Sequence, residues 1–327
     1  MAISHFSKRL HVARGVVRSR VVDTVAHAVT RVRYMFPDAS AERHSVSVIR
    51  DVAYGPHAEN RLDVYVPTRS PKPLPVVMYV HGGGFAMLSK DTHRVMALAF
   101  ARKGYLTFNI DYRLGVRNQF PVPLQDASEA LLWVAAHAAQ YGGDTTRLAI
   151  AGESAGGNLV TALAVAQATR RSEPFARRVF DARLPLRAVV ATYPFLDVHD
   201  VHRLDAHPTM PGWVKRMMLD ASTSYVGTRV WDPRDEDALH SPLWLLERAT
   251  GTERPMPPFF VSIGTRDPLL AQSQRLKVAL DRLGAECNLH ISPGEIHGYD
   301  ALVWREAARE KWRAAHAFLG RHTASGA

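Results

Sequence analysis

The run Leu148-Ala149-Ile150-Ala151-Gly152-Glu153-Ser154-Ala155-Gly156-Gly157-Asn158 decides the fold of this 327-residue chain. Its four leading apolar residues read as a buried strand, and the stretch from Ala155 onward reads as a helix. Between them stands a serine bracketed by glycines in the spacing G-x-S-x-G. A strand that turns directly into a helix forces backbones together, so the bracketing residues must lack side chains and the serine is held strained with its Oγ outward. The helix N-terminus then faces any negative charge that develops there. A glycine-rich turn is the bland alternative; the strand-to-helix junction argues against it. Ser154 is the candidate nucleophile.

Working outward, residues 76–80 form a second apolar run that leads straight into His81-Gly82-Gly83-Gly84. Three consecutive residues without side chains let backbone N–H groups approach a ligand closely. The amides of Gly83, Gly84 and Ala155 are the expected oxyanion hole. A serine hydroxyl needs a base, and that base needs an acid to fix its tautomer. Downstream, the run 259–263 ends in Gly264-Thr265-Arg266-Asp267, and 287–291 ends in Ser292-Pro293-Gly294-Glu295-Ile296-His297. His297 is the expected base, since His290 lies within a strand and His240 lies in an irregular region. Asp267 is the expected acid, with Glu295 its rival. An apparent pKa of about 6 to 7 follows for the base.

Eight short β-branched or apolar runs, at 45–50, 61–66, 76–80, 106–110, 148–151, 188–192, 259–263 and 287–291, read as strands. Helical stretches fall near 91–103, 125–140, 155–170, 271–283 and 303–320. Two opening strands followed by alternation of strand and helix predict an α/β fold with a mostly parallel central sheet and helices on both faces. Residues 196–257 break the rhythm with six prolines and with Trp213, Trp231 and Trp244, and read as an insertion over the sheet.

Hydrophobic residues make up 46% and charged residues 22%, which excludes a disordered or membrane-embedded chain. One cysteine, Cys287, excludes an internal disulfide and a multi-cysteine metal site, and suits a reducing compartment. No secretory signal is evident, so a cytoplasmic location is expected. The net charge is +10, but residues 1–36 hold seven of the basic residues against Asp23 alone. The rest is only mildly basic, which argues against a nucleic-acid partner. Apolar residues from Phe6 to Phe36 recur every three or four positions, a helical stripe expected to pack on the body of the protein. Weak contact of this basic helix with a membrane surface is the competing reading.

His81 to Gly84, Asp111-Tyr112-Arg113-Leu114, Gly152 to Gly157, Asp267-Pro268-Leu269 and His297-Gly298-Tyr299 occur in this order. Together they resemble the hormone-sensitive-lipase-like (family IV) esterases of the α/β-hydrolase fold, over about residues 45–321. The resemblance implies Ser154, Asp267 and His297 as the triad, and His81 as a histidine that orients its loop rather than transferring protons. It implies a cap built from residues 1–44 and 196–250 over a catalytic domain of residues 45–195 and 251–327. One departure is Gly115-Val116-Arg117, where such proteins usually carry alanine, proline and glutamate; Phe120-Pro121 and Asp126 rejoin the pattern.

The expected activity is hydrolysis of short- to medium-chain carboxylic esters through an acyl-enzyme, without metal or cofactor. Phe85, Met87, Phe195, Trp213, Met217 and Met218 are candidates for an apolar substrate pocket, with core packing as their alternative. An amidase or deacetylase on the same triad is one rival, and a receptor without turnover is another, disfavoured because His297 is retained. The expected partner is a small-molecule ester, with a homodimer left open.

Overall fold

The structure is a computed structural model that describes residues 23–24, 27–28, 39–71, 73–198, 211–227 and 239–325. All eight expected strands form: β1 (Val46–Ala53), β2 (Arg61–Pro67), β3 (Leu74–Val80), β4 (Leu106–Ile110), β5 (Gly143–Glu153), β6 (Leu186–Thr192), β7 (Phe259–Gly264) and β8 (Cys287–Ser292). They join in one sheet in the order β1-β2-β4-β3-β5-β6-β7-β8. β2 runs antiparallel to both β1 and β4, and every pairing from β4 to β8 is parallel.

Burial follows from position in the sheet. Every residue of β4 and β7 is buried, as expected for strands covered on both faces, whereas the edge strand β1 is mostly open. Side chains alternate faces along a strand. Val76, Met78 and Val80 of β3 therefore join one core with Leu159 and Leu163. Val77 and Tyr79 join the other with Phe100, Trp312 and Phe318.

Helices α1 (Arg94–Ala101), α2 (Val122–His137), α3 (Ala155–Ala168), α7 (Leu270–Arg282) and α8 (Glu306–His322) occupy the expected stretches. Three more form where none was assigned: α4 (Pro174–Asp181), α5 (Gly212–Val226) and α6 (Pro242–Arg248). The prolines that marked 196–257 as irregular do not forbid helices, because Pro211 stands at the N-cap of α5 and Pro242 in the first turn of α6, where a missing N–H costs nothing; Pro174 takes the same place in α4. Within residues 1–36 only Asp23, Thr24, His27 and Ala28 are described, all helical and none of them on the apolar stripe. The stripe itself lies outside the described residues, as do 199–210 and 228–238 of the insertion. Among the described residues no helix is long and apolar enough to cross a membrane.

The sheet brings the C-terminal ends of β3, β5, β7 and β8 to one rim, and tight backbone contact sets their spacing. A Cβ on Gly156, in the first turn of α3, would lie 2.1 Å from the carbonyl oxygen of Val80 and 2.5 Å from that of His81. Both are main-chain atoms, so nothing can swing aside. Gly156→Ala should lower stability by roughly 3 kcal/mol. Urea unfolding measures this, and an unchanged midpoint would show that α3 does not abut β3 so closely.

Candidate active site

Ser154 sits between β5 and α3 at φ 51 and ψ −115, a left-handed conformation unusual for a residue with a Cβ. The turn is pinned on both sides: the Ser154 N–H donates to the Thr192 carbonyl at 2.9 Å, and the Ser154 carbonyl accepts from Phe195 N–H at 3.0 Å. Asn158, one turn into α3, donates from Nδ2 to the carbonyls of Phe195 and His240. The strain expected of the serine is therefore present and is held from β6 and from the segment that follows it.

The structure aligns the three candidate catalytic side chains. Nε2 of His297 is 3.0 Å from Ser154 Oγ, and its Nδ1 is 2.8 Å from Oδ2 of Asp267. The other Asp267 oxygen accepts from the Leu269 N–H at 2.9 Å, so the carboxylate cannot rotate freely. Glu295, the rival acid, is paired instead with Arg305 at 2.7 Å. Burial alone would push His297 down. The Asp267 carboxylate beside it, and more distantly Glu153 and Asp300, outweigh burial and hold it above the ordinary imidazole value.

The loop after β3 curls under Ser154. Gly83 has φ 109 and a Cβ there would lie 2.1 Å from the Met87 carbonyl oxygen, so only glycine fits. The Gly83 carbonyl accepts from the N–H groups of Ala86 and Met87, closing a tight turn. Gly84 follows at φ 58, and Ala155 opens α3, where its N–H lies outside the helical hydrogen-bond ladder. His81 is fully buried, stacks on Tyr112 at 4.5 Å and has Nδ1 2.7 Å from the Gly82 carbonyl. Burial pushes its pKa down to about 3. A neutral, packed ring suits the orienting role expected of it. At the departure from the family pattern, Gly115 N–H donates to the Phe85 carbonyl at 2.8 Å, and Arg113 forms a two-pronged pair with Asp126.

The six apolar candidates separate. Phe85, Phe195 and Met218 belong to the core, and Phe85 is stacked on Tyr225 of α5 at 3.7 Å. Met87 is half-buried. Trp213 and Met217 are 69% and 39% exposed on α5. Among the described residues no cluster of three or more His, Cys, Asp or Glu is arranged to hold a metal.

Sequence reasoning passed over five buried residues behind the serine: His93, Glu153, Tyr193, Asp300 and Lys311. Two signals were present. Glu153 closes a buried strand, so it had to find a cation. Lys311 shares the spacing of Ala308, Trp312, Ala315 and Leu319, the inward face of α8.

A serine on a strand-to-helix turn, with a histidine and a carboxylate from two later strand ends in line behind it, defines an α/β hydrolase with an esterase-type site. The family described as alpha/beta hydrolase fold matches residues 77–301. The chain belongs to that family, as a hormone-sensitive-lipase-like carboxylic ester hydrolase. Carboxylesterase NlhH of Mycobacterium tuberculosis is 31% identical over 276 residues, covering 81% of this chain and 79% of that protein. The solved structure of esterase LipW from Mycobacterium marinum matches with a TM-score of 0.73 at 26% identity, covering 94% of this chain and 90% of that one. A bacterial heroin esterase shares the fold, with a TM-score of 0.78 at 24% identity and coverage of 94% and 93%.

Three outcomes follow from the geometry around His297. Protonated His297 cannot accept the serine proton, and its pKa is raised. The acid limb of kcat/KM should therefore have its midpoint above the ordinary imidazole value of 6.5. Asp267→Asn should lower kcat by about 10³ or more, because the imidazole loses the partner that fixes its tautomer. Glu295→Gln should leave kcat within about threefold. A reversed order of damage would move the acid role to Glu295.

Proposed function

We propose that the chain hydrolyses short- to medium-chain carboxylic esters through an acyl-enzyme on Ser154. The observation that carries this reading is the unbroken line from Asp267 through His297 to Ser154, at 2.8 and 3.0 Å. Ser154 Oγ attacks the ester carbonyl as His297 Nε2 takes its proton. The amides of Gly83, Gly84 and Ala155 receive the oxyanion in a site already folded around it, which lowers the barrier because little reorganisation is left for the transition state. His297, now an imidazolium paired with Asp267, returns the proton to the departing alcohol. Water then repeats the sequence on the acyl-enzyme. An alcohol leaves with less acid assistance than an amine, which favours esters over amides. The substrate is a small molecule, and the reading places the enzyme in the cytoplasm, where its one thiol stays reduced; burial pushes Cys287 up to about 12.

The N-terminal segment and the insertion are read as a cap over this site. Support comes from both sides of the loop after β3. Oδ1 of Asp23 accepts from the Leu88 N–H at 2.7 Å, and His27 Nε2 lies 3.3 Å from Ser89 Oγ. On α5, Ala221 would lie 3.0 Å from a Cβ placed on Gly84, and the Tyr225 carbonyl accepts from Phe120 N–H at 2.6 Å. The two segments thus meet the oxyanion loop, which suits a lid over the acyl chain.

Ser154→Ala should lose labelling by a fluorophosphonate and lose ester turnover by about 10⁴ or more. Labelling that survives in a folded variant ends the proposal. A panel of nitrophenyl esters from acetate to palmitate should fall off at long chains, with matched anilides slower throughout; faster anilides would make the enzyme an amidase. Deleting residues 1–36 should reduce activity on longer esters more than on acetate. An unchanged profile, with loss of salt-sensitive binding to anionic vesicles, would instead make the segment a membrane contact.

A further inference from the structure

Three loops that are far apart in the chain are wired together behind Ser154 by buried charge. Glu153 Oε1 is 2.5 Å from Nε2 of His93, and its Oε2 accepts from the Tyr193 hydroxyl at 2.8 Å. The same hydroxyl lies 2.6 Å from Oδ1 of Asp300, whose Oδ2 accepts from Lys311 Nζ at 2.8 Å. Each of the five is 7% exposed or less. Two anions occupy the middle of the chain and two cations its ends. The cationic state of His93 follows from its surroundings. Its Nδ1 is 2.8 Å from the Thr92 hydroxyl and 3.1 Å from the Ser89 carbonyl; that hydroxyl gives its own proton to the same carbonyl at 2.7 Å, so both oxygens accept, and with Nε2 facing a carboxylate both ring nitrogens donate. Burial acts against this, but Glu153 outweighs it and holds His93 above the ordinary value. Burial also keeps the Tyr193 and Tyr79 hydroxyls neutral, far above the usual tyrosine value.

Burying four charges is a poor way to gain stability, since apolar packing of the same volume serves as well or better. The placement of the chain points elsewhere, because four of its five members adjoin a residue of the site. Glu153 precedes Ser154. Asp300 follows His297 by three residues. His93 stacks on His81, which opens the oxyanion loop, at 5.5 Å. Tyr193 lies with its ring 4.4 Å from the His297 imidazole, in a strained backbone of φ 34. A tyrosine held in that conformation and clasped at its hydroxyl by two carboxylates cannot rotate away from the histidine.

We propose that the chain His93–Glu153–Tyr193–Asp300–Lys311 is a positioning device for His297, fixing its ring through Tyr193 and favouring its imidazolium through the charges of Glu153 and Asp300. None of the five touches the substrate. This inference rests on the serine-triad reading above. The groups facing His297 are Asp267 from the β7 loop, Glu153 from β5, Asp300 from its own loop, and the neutral Ser154 and Tyr193; Lys311 and His93 lie beyond the carboxylates they pair with.

The test is a set of kcat/KM profiles against pH, normalised to sites titrated with a fluorophosphonate so that unfolded protein does not count. With one carboxylate neutralised, His297 gives up its proton more readily. Glu153→Gln and Asp300→Asn should each move the acid limb to lower pH by roughly half a unit to one unit. Tyr193→Phe keeps the ring but cuts the chain, and should lower kcat about tenfold with KM little changed. If the single charge variants do not fold, Asp300→Asn/Lys311→Met leaves no unpaired buried charge and should shift the limb in the same direction. A network that only stabilises the fold would lower the melting temperature and leave the acid limb where it is; that result overturns the proposal. A parent enzyme that the fluorophosphonate does not label at Ser154 would overturn the triad reading and this inference with it.

Discussion

No side chain fits between the first turn of α3 and the end of β3. The main chain at Gly156 presses so close to the Val80 and His81 carbonyls that a methyl group there would overlap both. That contact sets the angle at which α3 leaves β5, and therefore where Ser154 points. It also sets the distance from the serine to the oxyanion loop, because that loop begins at His81. The remaining parts are arranged around this junction. The β6 segment clamps the turn through Thr192 and Phe195, and the loops after β7 and β8 deliver Asp267 and His297 to a serine whose position is already fixed.

Electrostatics in the site is decided by which ring is hydrogen-bonded to a carboxylate. His81 and His93 stack 5.5 Å apart under similar burial, yet they hold opposite charge states. His81 has Nδ1 on the Gly82 carbonyl and the nearest Asp111 oxygen 3.7 Å from Nε2, beyond hydrogen-bond reach, and burial pushes its pKa down to about 3. His93 meets Glu153 and keeps its proton, and Glu153 in turn is pushed down to about 2. His297 resembles the second case, with Asp267 in the part of Glu153. The difference is exposure: the His297 side chain keeps 24% of its surface open, which suits the proton transfer proposed for it.

Much of this was legible from short-range pattern. Buried parallel strands are continuous apolar runs, which made β3, β4, β6 and β7 plain, while β1, β2 and β8 at the sides of the sheet showed as short runs with β-branched or apolar residues among polar ones. The elbow, the glycine loop and the two strand-end residues Asp267 and His297 were legible because strand-to-loop boundaries are local and the order of parts follows the chain. The helices α5 and α6 were not, since Pro211 and Pro242 at their starts read as breakers, and α4 was not, since it is only Pro174–Asp181 with three buried residues. The start of β5 at Gly143 was missed because Asp144, Thr145 and Thr146 look like a turn. The charge chain was invisible for a different reason. Its partners lie 11 to 107 residues apart, and no periodicity links Glu153 to His93 or Tyr193 to Asp300.

The seat of α5 on the oxyanion loop has a consequence for how such an enzyme can diversify. Ala221 already offers the smallest side chain compatible with a regular helix, and it abuts Gly84; Tyr225 is stacked face to face on Phe85 in the same loop. Room for a bulkier acyl group cannot be carved out at this seam by trimming, since there is almost nothing left to trim. Enlargement there shifts the helix, and the shift is passed to the loop whose amides are proposed to hold the oxyanion. Substrate breadth and rate are mechanically tied at this seam. On the proposed reading, lineages or laboratory selections that widen the substrate range should leave this seam unchanged.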